Sequence, residues 1–259
     1  KQSWRVSRGR MVLLIAVCSV LGILIVRFSP LPKAANLAGA YLLCQALYLF
    51  SGTSFAPMIS AAALPVLMDT ETIIYPISAV TMTALTVLAQ YILEKRGLYA
   101  YEDFQPLPRP DRFSLISAAV RTVLAAALAF PLIHFGLNFC IAPPLLVAFT
   151  EFSNPVSGAR KKPVRTVLII AACALSGALF RWILCVLLGL PLPLAAVLAV
   201  LAALAVMKLA GQYIPPAGAL AVLPIIIPQQ ALLIYPLEIL AGASVFMLAA
   251  LCFRKRKTE

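Results

Sequence analysis

One arginine and one glutamate are charged residues inside otherwise apolar stretches of the chain. Arg121 lies in the apolar segment 114–136, and Glu151 lies in a short segment bounded by prolines. A charge at the centre of a bilayer costs about 3 kcal/mol on insertion scales, so such a residue usually faces a protein interior, a cavity or a partner. We therefore predict that Arg121 and Glu151 pair with each other and contact a bound solute.

Three short apolar segments are opened by prolines and are candidate anion sites. Pro57, Pro143 and Pro216 stand near the starts of these segments. A helix that begins at such a point presents unpaired N–H groups and a partial positive charge, both of which favour an anion. The alternative is that the prolines are packing kinks in a helical bundle.

Polar side chains near these helix starts extend the predicted binding set. A hydroxyl or amide at such a position either contacts the solute or caps a helix end. Beside the two charged residues, the candidates are Thr53, Ser54, Pro57, Ser60, Pro143, Thr150, Ser153, Asn154, Gln212, Tyr213 and Pro216.

The available chemistry indicates binding rather than catalysis. The chain has a single histidine, His134, and few carboxylates in its apolar segments, which leaves little for acid–base catalysis or for a metal site. Its six cysteines lie in apolar runs without a C-x-x-C pair, which is typical of buried thiols. We predict no catalytic residues, no metal ligands and no cofactor.

The composition determines the environment in which these residues act. The chain of 259 residues is 63% hydrophobic and 12% charged, and its mean hydropathy is +0.99. Soluble domains average about 25% charged residues. We predict an all-α polytopic membrane protein in a lipid bilayer, with about 8 to 10 transmembrane segments including the short proline-broken ones.

The net charge of +12 comes from basic clusters beside apolar segments, which favours a topological signal over a nucleic-acid partner. Placing these clusters on one side puts both termini in the cytoplasm, with a bacterial inner membrane as the predicted location. The basic clusters are 1–10, 94–113, 158–165 and 254–257. This topology counts each short segment as a full crossing of the membrane. If the short segments are re-entrant instead, the number of crossings falls and some helix ends change to the other side of the membrane.

The first proline-broken segment occurs a second time in the chain, and so do residues before and after it. Matches between prolines, glycines or cysteines are harder to obtain by chance from an apolar composition than matches between leucines or alanines. The matched pairs are Arg10 with Arg165, Cys18 with Cys173, Gly22 with Gly177, Gly52 with Gly211, Pro57 with Pro216, Pro65 with Pro224, and Tyr75-Pro76 with Tyr235-Pro236.

These matches predict two parallel internal repeats, each with four segments. The predicted divisions are 1–97 for membrane repeat 1, 98–113 for a cytoplasmic linker, 114–157 for an extra helix pair and 158–259 for membrane repeat 2. Parallel repeats imply a pseudo-two-fold axis along the membrane normal and fit a homodimer. Because only the second repeat is preceded by a helix pair, we expect that a matching pair was lost, precedes Lys1 or is supplied by a partner subunit.

The second broken segment, Ile214-Pro-Pro-Ala-Gly-Ala219, resembles the HPPAG-type motif of the HPP family of integral membrane proteins. Ala142-Pro-Pro, with the stretch 149–155 and the basic loop after it, resembles an earlier helix of that family. The resemblance covers about 114–253 and more weakly 10–96. Ile214 stands where the family has its histidine, so the role of that histidine does not carry over.

The HPP family includes plastid and cyanobacterial proteins associated with nitrite transport. The resemblance therefore implies a transporter or channel-like protein for a small inorganic anion such as nitrite, bound where the repeats meet. A weaker resemblance to FUSC or aromatic acid exporter-type membrane domains implies export of aromatic or organic acids. A membrane assembly subunit that transports nothing is a third alternative.

Overall fold

The protein is described from a computed structural model that places residues 4–98, 103–155 and 157–253. The chain is 76% helical, and the described residues form no strand, so the predicted all-α class is confirmed. Within these residues, five helices are long and apolar enough to cross a membrane. The predicted basic tail 254–257 lies outside the described residues.

The helices follow one another along the chain with short connections, apart from the linker before the fifth. In chain order they are α1 Arg8–Phe28, α2 Lys33–Phe50, α3 Met58–Leu67, α4 Ile74–Lys95, α5 Arg112–His134, a 3₁₀ turn Asn138–Ile141, α6 Pro143–Phe152, α7 Gly158–Lys161, α8 Pro163–Phe180 continued by a π-helix Arg181–Leu187, α9 Leu192–Leu209, α10 Pro215–Val222, two 3₁₀ turns Leu223–Ile225 and Gln229–Ala231, and α11 Tyr235–Leu251.

The long and the short helices correspond to the two kinds of apolar segment in the sequence. The five long apolar helices are α1, α4, α5, α9, and α8 with its π-helix. The proline-opened helices α3, α6 and α10 have 10, 10 and 8 residues. At about 1.5 Å per residue they are about 12 to 15 Å long, which is about half the thickness of a hydrocarbon core.

The chain forms two compact units, Lys1–Ile133 and His134–Glu259, called unit 1 and unit 2 below. The predicted extra helix pair is divided between them, with α5 in unit 1 and α6 in unit 2.

In unit 1, α1 packs against α2, α3 and α4, and α2 also packs against α3. The close approach of α1 to α3 depends on Gly22, because a Cβ at that position would overlap the carbonyl oxygen of Ala62. Small residues at such a contact allow two helix backbones to approach. An ion pair between Arg8 and Glu94 joins the start of α1 to the end of α4.

Unit 2 contains the corresponding contacts. Helix α8 packs against α9, α10 and α11, and α9 also packs against α10. A Cβ at Gly177 would overlap the carbonyl oxygen of Ala221, closer than at Gly22 in unit 1. Helix α6 packs on α11, where the rings of Phe149 and Phe246 lie with centroids 5.1 Å apart.

A proline and a tyrosine act together in unit 1. Pro65 lies inside α3 and has no amide hydrogen, so it cannot donate to the carbonyl of Ala61 four residues earlier. The hydroxyl of Tyr75, in the first turn of α4, donates to that oxygen at 3.0 Å. The tyrosine thus satisfies the carbonyl that the proline leaves open.

The same arrangement occurs in unit 2. Pro224 follows α10 and leaves the carbonyl of Leu220 without its helical donor. The hydroxyl of Tyr235, at the start of α11, donates to that oxygen at 2.6 Å. Because open backbone groups are costly in lipid, the repeated proline–tyrosine pattern of the sequence has a structural explanation.

Arginine side chains bind the ends of α2 and α9. Each helix is followed by a glycine in the left-handed region, with φ of 66° at Gly52 and 54° at Gly211, as is common where helices end. The carbonyl just before each glycine accepts a hydrogen bond from an arginine near the start of α1 in unit 1 and of α8 in unit 2. The pairs are Arg10 with Ser51 O at 3.1 Å and Arg165 with Ala210 O.

Cations also lie at the far ends of the short helices α3 and α10. Lys33 Nζ donates to Leu67 O at 3.4 Å in unit 1. In unit 2, Arg181 Nη1 donates to the carbonyls of Pro224 and Ile227. A positive charge at this end complements both the unpaired carbonyls and the helix dipole.

Candidate functional site

The first amides of α6 donate hydrogen bonds to the backbone at the start of the same helix. Pro143 and Pro144 have no amide hydrogen, and the next two amides, of Leu145 and Leu146, both donate to Ala142 O at 2.7 and 3.3 Å. Just upstream, the carboxylate of Glu238 accepts from Phe139 N at 2.8 Å. The helix start predicted at Pro143 is present, but these amides already have partners within the chain.

The start of α10 is similar. Pro215 and Pro216 contribute no amide hydrogen, the amide of Ile214 donates to Met207 Sδ at 3.3 Å, and that of Ala217 donates to Ile214 O at 3.0 Å. Pro216 is buried. At this break too, the amides named here bind other atoms of unit 2.

At the start of α3, Thr53 and Ser54 contact nearby chain atoms. The buried Thr53 hydroxyl lies 2.9 Å from the Ser51 hydroxyl and accepts weakly from Phe55 N at 3.4 Å. Ser54 exchanges two hydrogen bonds with the backbone of Arg5, at 2.7 and 3.0 Å. Thr53 therefore binds within the turn before α3, and Ser54 joins that turn to the backbone of Arg5.

The amide of another candidate, Ser60, donates to Pro57 O at 3.0 Å, which continues the first turn of α3. Its side chain is half-buried.

The candidates on and after α6 have three different environments. Thr150 and Ser153 are buried and donate to carbonyls four residues earlier, Leu146 O at 3.0 Å and Phe149 O at 2.7 Å. Glu151 is half-buried, and Asn154 is exposed. The two hydroxyls thus fold back onto their own helix.

Gln212 and Tyr213 precede α10 and differ in exposure. Gln212 Nε2 donates to Thr166 Oγ1 at 2.6 Å, whereas Gln212 Oε1 is buried and has no hydrogen-bond partner among the described residues. Tyr213 is 64% exposed. An open amide oxygen is an acceptor, so it suits a hydrogen-bond donor rather than an anion.

Arg121 is the sequence-predicted residue with the most distinctive environment. It is 7% exposed and lies on α5, nine residues from the start of that helix, or about 14 Å along its axis. Its guanidinium donates to Gln45 Oε1 from Nε at 3.2 Å and from Nη2 at 2.9 Å. The Tyr41 hydroxyl is a further hydrogen-bond partner, and Tyr48 lies within electrostatic range.

These four side chains, Tyr41, Gln45, Tyr48 and Arg121, are called the arginine cluster below. Three of them come from α2 at spacings of four and three residues, which places them on one face of that helix. Tyr41 and Gln45 are each 1% exposed. The cluster is therefore a buried guanidinium held by neutral groups, and it is the candidate site in unit 1.

Tyr41, Gln45 and Tyr48 were not among the residues predicted from the sequence. The available signal was Gln45, an uncharged polar residue in the middle of the apolar stretch Tyr41–Phe50. Spacing alone could not assign it to Arg121, because the two residues are 76 positions apart. The predicted pairing of Arg121 with Glu151 stays a prediction.

No family model, no curated protein and no solved structure matches the chain.

Proposed function

We propose that the protein is a membrane transporter or channel for a small inorganic anion such as nitrite, and that the anion binds at the arginine cluster. The observation that carries the proposal is the burial of Arg121 on a helix long and apolar enough to cross a membrane. A charge at that depth is costly, which makes it a functional candidate by default.

The partners of Arg121 support an anion rather than a purely structural role. Gln45 and Tyr41 are neutral, so they orient the guanidinium without cancelling its charge. A planar guanidinium presents five donors and matches the two oxygens of a carboxylate or of nitrite. The hydrogen bonds to the single oxygen of Gln45 use only two of its N–H directions.

We further propose that α1–α4 and α8–α11 are two copies of one four-helix frame. Three kinds of contact at matched positions support this: the glycine approach, the proline–tyrosine pair and the arginine at the end of the second helix. Helices with merely similar composition would not place these contacts at matching residues.

The charge distribution supports the predicted orientation. Helix α1 starts at the basic residues Arg8 and Arg10, and α4 ends at Lys95 and Arg96. The Arg8–Glu94 ion pair joins these two helix ends. Arg160 likewise donates to Phe253 O at 2.7 Å, so the start of the second frame lies near its end. We place both of these ends, and both termini, in the cytoplasm of a bacterial inner membrane. Membership of the HPP family stays a prediction.

A second candidate function is the export of aromatic or other organic acids. The observation that favours it is the presence of two tyrosines, Tyr41 and Tyr48, beside the guanidinium. Aromatic rings next to an arginine suit a substrate with both a carboxylate and a ring.

Flux measurements on the full chain reconstituted in liposomes test the two candidates. We expect nitrite entry with or without a proton gradient, and a fall of about tenfold or more in Arg121→Gln, because a hydrogen bond to a charged group contributes about 1.5 kcal/mol or more. Arg121→Lys keeps the charge and should retain part of the flux. The matched control is Arg27→Gln, which removes an exposed arginine from the last turn of α1.

The outcomes separate the alternatives. Flux of benzoate without flux of nitrite favours the organic-acid exporter. Equal flux in Arg121→Gln and in the unsubstituted protein removes the arginine cluster as the binding site. Absence of flux for nitrite, nitrate and other small anions overturns the proposal and favours an assembly subunit.

A further inference from the structure

A groove of about 380 Å³ lies at one end of unit 1, where the linker before α5 passes over the end of α2. It is distinct from the arginine cluster and shares no residue with it. Most of its lining is apolar, with one charged side chain. The lining residues are Leu49, Phe50, Gly52, Leu107, Pro108, Arg109, Pro110 and Leu115.

Backbone contacts hold the walls of the groove in place. Leu107 N donates to Gly52 O at 2.8 Å, which fastens the linker to the turn after α2. Asp111 accepts from Ser114 N at 2.9 Å and caps the start of α5. The prolines of the linker restrict its backbone further. The groove is therefore a formed feature of unit 1 and not a gap beside a loose loop.

The groove combines exposed apolar surface with positive charge. Phe50 is 70% exposed and Leu115 is 43% exposed. Arg109 is an exposed side chain in the lining. A second guanidinium, that of Arg10, borders the floor, because a Cβ built on Gly52 would lie 3.4 Å from Arg10 Nη1.

Arg10 is fixed at this edge by neighbouring groups. Its Nη1 donates to Ser51 O at 3.1 Å, and its guanidinium carbon lies 4.9 Å from the centroid of the Phe104 ring. Such a cation–π contact favours a fixed position of the guanidinium over the ring. Two arginines thus stand beside one apolar groove.

We propose that this groove binds an anionic phospholipid, with the phosphate at Arg109 and Arg10 and an acyl chain along Phe50 and Leu115. The groove lies where α2 ends and where α5, a helix long and apolar enough to cross a membrane, begins. When such a helix spans a bilayer, its end lies where the hydrocarbon core meets the headgroups. Basic pockets between transmembrane helices bind anionic headgroups at that level. The inference depends on the membrane placement of the chain and not on the transported solute.

The chemistry favours a lipid over free phosphate. A free phosphate would contact the guanidinium groups and leave the exposed rings and methyl groups of the groove unused. A phospholipid uses both, since it carries the anion and the apolar chain in one molecule. A zwitterionic lipid would fill the apolar part without a net charge for the arginines.

The test uses the full chain in nanodiscs made from equal parts of phosphatidylglycerol and phosphatidylcholine, followed by native mass spectrometry of the lipids retained. We expect preferential retention of phosphatidylglycerol. In Arg109→Gln this preference should fall about fivefold, because one basic residue at a membrane surface contributes about 1 kcal/mol to anionic lipid binding. Phe50→Ala should lower retention of phosphatidylglycerol as well, through loss of the acyl contact.

Arg96→Gln is the matched control, because Arg96 is an exposed arginine that follows α4 and does not line the groove. It should leave the preference unchanged. Equal losses in Arg96→Gln and Arg109→Gln would overturn the proposal, as would equal retention of the two lipids. Displacement of phosphatidylglycerol by inorganic phosphate, together with no effect of Phe50→Ala, would show a free-phosphate site instead. The thermal unfolding midpoint in lipid-free detergent verifies that each variant is folded.

Discussion

Units 1 and 2 contain the same helix–helix contacts but bury opposite charges in different ways. In unit 1, the guanidinium of Arg121 is held by side chains and keeps N–H groups directed away from Gln45. In unit 2, the buried carboxylate of Glu238 accepts from the amide of Phe139. The carboxylate thus binds the backbone of the 3₁₀ turn, whereas the guanidinium binds side chains of α2.

Comparing the two units separates the contacts that both contain from the groups that differ between them. Contacts that both units contain, such as the tyrosine hydroxyls on Ala61 O and Leu220 O, are explained by the need to satisfy a broken helix. Groups that occur in one unit, such as Arg121 with Gln45, have no such explanation. The proposed function therefore rests on the features that differ between the units.

The largest effect is expected at the two glycine contacts. Gly177→Ala should destabilise the protein by about 3 kcal/mol or more, since its Cβ would overlap the backbone of Ala221, which cannot move aside as a flexible side chain could. Gly22→Ala should cost less, because the overlap with Ala62 is smaller. The midpoint of thermal unfolding in mild detergent measures both.

Gly39→Ala and Gly218→Ala are the controls for this pair, because a Cβ at either position meets no atom within 4 Å. Both should be neutral or stabilising, by up to about 1 kcal/mol. If Gly177→Ala lowers the unfolding midpoint no more than Gly218→Ala does, helices α8 and α10 do not approach as described. The comparison of the two units then fails.

The next effect is expected at the proline–tyrosine pairs. Tyr235→Phe should cost about 1 to 3 kcal/mol, because it leaves Leu220 O buried without a donor. Tyr75→Phe should cost less, because Tyr75 is only half-buried. The same unfolding measurement applies, with Tyr213→Phe as the control, since the Tyr213 side chain is 64% exposed.

A double-mutant cycle sharpens this prediction in unit 1. Pro65→Ala restores an amide hydrogen that can donate to Ala61 O, so Tyr75→Phe should cost less in that background than alone. Strictly additive effects would contradict the claim that the tyrosine substitutes for the missing amide.

The smallest effect is expected at the cations that end the short helices. Arg181→Gln should cost about 1 to 2 kcal/mol, because Arg181 binds two carbonyls, those of Pro224 and Ile227. Lys33→Gln should cost under about 1 kcal/mol, since its ion-pair partner Asp69 is 64% exposed. A larger loss of stability in Lys33→Gln than in Arg181→Gln would reverse this order. It would show that the ends of α3 and α10 are stabilised in different ways.

Much of the helical framework could be predicted from apolar segments and prolines. The predicted segment 114–136 is found as α5 with shifted ends, and the proline-opened segments predicted at Pro57, Pro143 and Pro216 are found as α3, α6 and α10. Apolar length and proline position act locally, so they can be read along the chain. The π-helix Arg181–Leu187 was not predicted, because it contains no proline or glycine that would mark a change of helix type.

The candidate site was less predictable. Arg121 was identified because a charge in an apolar run is a local anomaly, and Thr53, Ser54 and Ser60 were identified from their position beside a break. What a side chain binds is a matter of tertiary contact: Thr53 and Ser54 turned out to contact their own turn and the Arg5 backbone, while Gln45 supplied the partner of Arg121.

The all-helical class, the short broken helices and the matched positions of proline, tyrosine and glycine can be read from the sequence, since each follows from hydropathy or from the backbone chemistry of one residue type. The binding of Tyr75 and Tyr235 to carbonyls freed by prolines, and the contact of Arg121 with Gln45, became visible in the folded chain. Those outcomes depend on which helix faces which, and helix packing brings together residues that are far apart in the chain.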